Sequence, residues 1–91
     1  MHTRGGRLEA GFVRLMLGEW SGTDSMLSSS LADALSALIH RGEIPAGTVL
    51  PSQRQLSQEL GVSRVTVGNA YEILRAIGAV DGTARVAPQA A

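Results

Sequence analysis

The 91-residue sequence contains no cysteine and no lysine, and only one tryptophan, one tyrosine and one phenylalanine. Without cysteine there is no disulfide framework, no thiolate metal site and no thiol nucleophile, which fits a reducing compartment. Eight arginines balance eight acids, so the formal charge is zero. That balance counts against indiscriminate polyelectrolyte binding, although a basic patch can sit within a neutral whole. No apolar run reaches the length of a membrane span, and the amino terminus lacks the apolar stretch of a signal peptide, so the simplest expected location is the cytoplasm. The size prior gives one domain with a single modest core, too small to hold a binding module and a large catalytic domain together. Catalytic groupings are missing as well. There is no clustered acid pair, no serine with a partnered histidine in view and no phosphate-cradling glycine loop; Arg4-Gly5-Gly6-Arg7 reads as tail, and His2 and His40 are two solvated histidines rather than a metal set.

The informative stretch is residues 53–76, QRQLSQELGVSRVTVGNAYEILRA, which reads as two short amphipathic helices joined at Gly61-Val62-Ser63. Leu56 and Leu60 lie four apart and share one face of the first helix, with polar residues on the others. Gly61 offers a left-handed exit, Val62 can pack back on the leucines, and Ser63 is a favoured N-cap for the second helix. There Val67, Ala70, Tyr71, Leu74 and Ile77 recur at three and four and form the expected buried stripe. The outer face carries Ser63, Arg64, Thr66 and Asn69, with no acid before Glu72. Two helices joined by a three-residue turn have the form of a helix-turn-helix.

Around this pair, a helix ending in the pattern IxxGxxPxGxxLPSxRxLxxxLGVSRxTVxxAYxxLxxxG runs from Ile39 to Gly78. In this the chain strongly resembles the winged helix-turn-helix domain of GntR-type bacterial transcription regulators. The resemblance implies a mainly α fold with a small β-hairpin wing, and sequence-specific DNA binding with the 63–76 helix in the major groove. A weaker resemblance, carried by a hydrophobic helix ending at Trp20, a polar spacer and then LADALSALIHRGEIPAGTVLPSQR, is to the MocR-type subgroup, whose DNA-binding domain precedes an aminotransferase-like domain holding pyridoxal phosphate. This chain has no lysine for the Schiff base of that chemistry, and no cofactor is expected on it. It is read either as a fragment of such a regulator or as a stand-alone relative without the effector half.

In chain order, residues 1–7 are expected to be a flexible tail. Residues 8–20 form an amino-terminal helix with Leu8, Phe12, Leu15, Met16 and Trp20 on one sticky face, docked on the domain or on a partner chain. Residues 21–30 are a serine-rich linker whose Ser28-Ser29-Ser30 supply caps for a helix starting near Leu31, with Leu31, Leu35, Leu38 and Ile39 as its core face. The winged helix-turn-helix then occupies 31–88. Thr48-Val49-Leu50 is a short extended segment, and Ser52 caps the helix that begins near Gln53. After Gly78, Val80 and Val86 supply strand residues around an Asp81-Gly82 hairpin turn. This wing is short, with Arg85 as its only cation.

The candidate DNA-binding residues are Ser52, Arg54, Ser63, Arg64, Val65, Thr66, Asn69 and Arg85. Arg64 can bridge O6 and N7 of a guanine or hold a phosphate, Thr66 can bond a base or phosphate and present its methyl to thymine, and Val65 offers apolar contact only. Asn69, one turn on, can read adenine, while Gly68 leaves room for close backbone approach. Arg54 resembles the family's phosphate-anchoring arginine, Ser52 can add a phosphate contact to its cap, and Arg85 is either a wing contact or a solvated strand residue. Tyr71 is assigned to the core with its hydroxyl at the rim. The expected partner is an operator in double-stranded DNA, bound by a homodimer or with the help of a missing carboxyl-terminal effector domain, and no membrane. The alternative is a protein-interaction module, a dimerising antagonist of a full-length regulator.

Overall fold

The computed structural model describes residues 7–17 and 27–88. Among these described residues four helices follow in order: α1 (Ala10–Leu17), α2 (Leu27–His40), α3 (Gln53–Leu60) and α4 (Arg64–Ala76). Helices α2 and α4 pack together as the centre of the domain, α3 crosses α4, and α1 lies mainly on α3. The shared core contains Leu31, Leu35, Leu38 and Ile39 of α2, Leu56 of α3, and Val67, Ala70, Tyr71 and Leu74 of α4. This is the winged helix-turn-helix expected, with a reduced wing.

Local chemistry explains the helix-turn-helix. Ser52 caps α3 through its hydroxyl, which accepts from the Gln55 backbone N–H at 3.1 Å, while the Gln55 side chain reaches back to the Ser52 N–H at 3.4 Å. Such a capping box satisfies two donors that the first turn leaves orphaned. The helix stops at Gly61, whose φ of 74° is in the left-handed region that other residues adopt at a cost. There the Gly61 and Val62 N–H groups both close on the Ser57 carbonyl. Ser63 then caps α4 by accepting from Thr66 N–H.

The wing is built from isolated bridges. Val80 pairs antiparallel with Val86, Val49 pairs antiparallel with Arg85, and Arg7 pairs parallel with Val49 on its other side. Its turn differs from the two-residue Asp81-Gly82 form. Asp81 N–H donates to Arg85 O and Ala84 N–H donates to Asp81 O, enclosing Gly82, Thr83 and Ala84, and Ala84 adopts φ of 62°. A three-residue loop ending in a left-handed residue suits a strand pair, and here a non-glycine residue takes that position.

Several expectations are corrected. Of the 1–7 tail only Arg7 is described, and it is held by its bridge to Val49, with Leu8 N–H donating to Val49 O at 2.8 Å. The 8–20 helix is helical at Ala10–Leu17; Trp20 lies outside the described residues. Its buried residue is Val13, whereas Phe12 (54 % exposed) and Leu15 (72 % exposed) face outward. AGFVRLML is apolar nearly all round, so its own pattern does not select a face. Helix α2 begins at Leu27, inside the segment read as linker, and Ser28 sits in its first turn and donates to Thr66 O at 3.1 Å. Ser57 is buried against its own helix, its hydroxyl donating to Arg54 O. Ile77 is 60 % exposed, because it is the C-cap at which the chain turns away toward Gly78.

Candidate nucleic-acid interface

Helix α4 has two unlike sides. Val67, Ala70, Tyr71 and Leu74 are buried against α2 and α3, and Ser63, Arg64, Val65 and Asn69 are exposed. Thr66 is half-buried, with its hydroxyl 3.0 Å from that of Ser63. The cap therefore fixes the Thr66 side chain, while the neighbouring Arg64, Val65 and Asn69 project from the first two turns. On α3, Ser52 and Arg54 are also exposed. Tyr71 is more deeply placed than a rim residue. Its hydroxyl donates to Pro51 O at 2.6 Å in the interior, tying α4 to the segment before α3, and burial raises its pKa far above the ordinary phenol value.

The space beside Gly68 is already occupied. A Cβ built there would lie 3.0 Å from Oε1 of Gln53, so the Gln53 side chain of α3 covers the backbone that was expected to stand open. Lacking a side chain of its own, position 68 presents a glutamine amide borrowed from the first helix. Only the crossing of the two helices reveals this.

Arginines divide by partner. Arg14 pairs with Glu59 at 3.0 Å, Arg41 with Glu43 at 3.1 Å and Arg75 with Glu72 at 3.5 Å. Arg85 donates to Gly47 O at 3.2 Å, so its guanidinium is held against the domain's own backbone. Among the described residues, Arg7, Arg54 and Arg64 have no acidic partner within ion-pair distance. Two of these belong to the expected site; Arg7 was assigned to the tail. A pairing one residue long has no periodicity by which a sequence could announce it.

Asp81 at the wing turn is a structural acid. Its Oδ1 accepts from the Thr83 hydroxyl at 2.7 Å, the Thr83 N–H at 2.8 Å and the Arg85 N–H at 3.1 Å. These bonds, the Thr83 hydroxyl first, hold its carboxyl below the ordinary value of 3.8. Because the folded value is depressed, the stabilisation is complete above the ordinary value and is lost as pH falls through the folded one. An NMR titration is expected to show the Asp81 carboxyl and the Thr83 and Arg85 amides sharing a midpoint below 3.8; a midpoint at or above it would exclude this account of the turn.

Comparison with known proteins adds the following. Residues 27–87 match the family model described as bacterial regulatory proteins, gntR family. The HTH-type transcriptional regulator YieP of Escherichia coli (strain K12) is 43 % identical over 54 residues, covering 59 % of this chain and 24 % of that protein. Rv0792c of Mycobacterium tuberculosis (strain ATCC 25618 / H37Rv), also named an HTH-type transcriptional regulator, is 45 % identical over 51 residues, 56 % of this chain and 19 % of its own. YdeL of Bacillus subtilis (strain 168), likewise named, is 50 % identical over 40 residues, 44 % of this chain and 9 % of its own. The chain thus spans less than a quarter of each of these relatives. No solved structure matches at the same level of significance.

Proposed function

Because the chain belongs to the gntR family of bacterial regulatory proteins, we propose that it is the operator-binding part of a transcription regulator that reads double-stranded DNA with α4 in the major groove. The family match covers residues 27–87, which include the segments of the helix-turn-helix and wing from α2 onward. The observation that carries it is the outward face of α4, where Ser63, Arg64, Val65 and Asn69 stand exposed ahead of the first acid, Glu72. A major groove admits one helix, and these side chains occupy the amino-terminal end that meets base edges in this docking mode. Arg64 reads a guanine or holds a phosphate, Asn69 reads adenine, Val65 packs on a thymine methyl and Thr66 bonds a base or phosphate from its capped position. Ser52 and Arg54 hold the backbone. Arg85, engaged by Gly47 O, is the weakest member of this set.

Three or four phosphate contacts imply a slope of log affinity against log salt of about −3 to −4, and a neutral monomer binds a single half-site no tighter than on the order of micromolar at physiological salt. Gel-shift titration of the chain across salt concentrations tests this. A slope near zero would refute groove binding, and nanomolar affinity for one half-site would refute the need for a second subunit or domain. Operators of this kind are read as two half-sites by a dimer. The second copy is brought by α1 or by a carboxyl-terminal domain, and the regulator works in the cytoplasm.

The MocR-like subgroup is the finer assignment. It is supported by the helix that precedes α2 and by relatives of which the matched region is only 9 %. One observation favours a second reading, a protein-interaction module that antagonises a full-length regulator: Phe12 and Leu15 lie exposed on one short helix.

A further inference from the structure

We propose that Arg7 is a DNA-backbone contact, carried into the interface by the pairing of the amino-terminal segment with Val49 and standing in for the cations that the shortened wing lacks. The inference rests on the groove-binding reading above and adds a residue from outside the helix-turn-helix.

Three observations support it. First, Arg7 is fixed in place: it forms a parallel bridge with Val49, and the next residue, Leu8, donates its N–H to Val49 O at 2.8 Å. Val49 is bridged on its other side to Arg85, so the amino-terminal segment adds an outer strand to the wing's own pairing. Second, this register places Arg7 at a cleft of about 330 Å³ shared by the start of α3 and the wing turn. Ser52 and Gln53 line it on one side and Thr83 on another. Arg75 lines it too, and no acid does. Nη1 of Arg75 is buried without a hydrogen-bond partner, 3.5 Å from Glu72, so its charge is only partly offset. Third, Arg7 is exposed and has no acid within ion-pair distance among the described residues. Arg7 also borders a neighbouring cleft that holds Glu9 and Glu59, but Glu59 is taken by Arg14 at 3.0 Å and neither acid forms an ion pair with Arg7.

The wing offers less. Its one cation, Arg85, is bonded to Gly47 O, and its tip carries the negative charge of Asp81. Arg7 shares this cleft with Ser52, the N-cap of α3 two residues before Arg54, and the proposal puts a phosphate of the duplex read by α4 there. A phosphate diester accepts a planar guanidinium fork, and a phosphate neutralised there releases a counterion.

The test is the salt dependence of binding to a random-sequence duplex of about 25 base pairs, long enough for two half-sites. Arg7→Ala is expected to make the slope less steep by roughly 0.9 and to weaken binding roughly five- to tenfold at about 0.1 M salt, with the difference closing as salt rises. Arg7→Lys keeps the charge and the slope. Leu8→Pro removes the N–H that holds Val49 O while leaving Arg7 intact, and is expected to lose the same slope as Arg7→Ala, with helix content by circular dichroism unchanged. If the wild-type chain binds with a salt-dependent slope and Arg7→Ala shares it, Arg7 is not a contact and the groove-binding reading stands. If Leu8→Pro keeps the wild-type slope, delivery by the Val49 pairing is wrong. If the wild-type chain does not bind duplex at all, both readings fall together.

Discussion

Arg64→Ala is expected to lower affinity for duplex DNA by about 5- to 150-fold, the equivalent of the roughly 1–3 kcal/mol that a bidentate guanidinium–guanine contact supplies. The residue is exposed, follows the N-cap of α4 and has no acidic partner among the described residues, so its guanidinium has no structural bond to lose. Thermal unfolding should therefore be unchanged within a few degrees, separating loss of contact from loss of fold. Arg64→Lys distinguishes the two roles open to it. A lysine can hold a phosphate as a point charge but cannot reproduce the fork, so retained affinity with relaxed sequence preference identifies base reading. If Arg64→Ala binds DNA as the wild type does, α4 is not the reading helix. If binding to a protein partner survives the same substitution while DNA binding is lost, an interaction surface exists elsewhere, and exposed Phe12 and Leu15 are its first candidates.

The largest effect on stability is expected from Leu35→Ala. Leu35 is fully buried in the packing of α2 against α4. Truncating a leucine in such a site costs about 2–5 kcal/mol, the transfer of the lost methyl groups plus the cavity left behind. A domain of this size has little more than that in reserve, since total stabilities run from about 5 to 15 kcal/mol. The melting temperature should fall by roughly 10–30 °C, or the chain should not fold cooperatively at all. Far from the α4 face, the substitution should reduce DNA binding only in proportion to the folded fraction; a melt within a few degrees of wild type would mean that α2 and α4 do not share this core.

How far the chain can be read without its structure depends on the range of the forces involved. The capping box at Ser52 and Gln55, the left-handed Gly61 and the Ser63 cap lie within a dozen consecutive residues, and each satisfies backbone groups of its own helix. The three-to-four spacing of Val67, Ala70, Tyr71 and Leu74 selects one side of α4, and that side is buried. With the inner side settled, exposure of Arg64 and Asn69 follows from geometry. Where apolar residues cover a helix more evenly, as in AGFVRLML, spacing cannot choose, and contact with α3 chose Val13 over Phe12 and Leu15.

The helix-turn-helix and the exposed face of α4 were therefore determined by the sequence itself, because caps, turns and amphipathic stripes are short-range devices whose energies are set by neighbours in the chain. Tertiary structure decided the rest. It covered Gly68 with the Gln53 amide, sank the Tyr71 hydroxyl onto Pro51 O, turned Ile77 outward and brought Arg7 beside Val49 at the wing. Each of these joins groups from separate elements, and a single hydrogen bond or side-chain contact between distant segments leaves no periodic trace in either one.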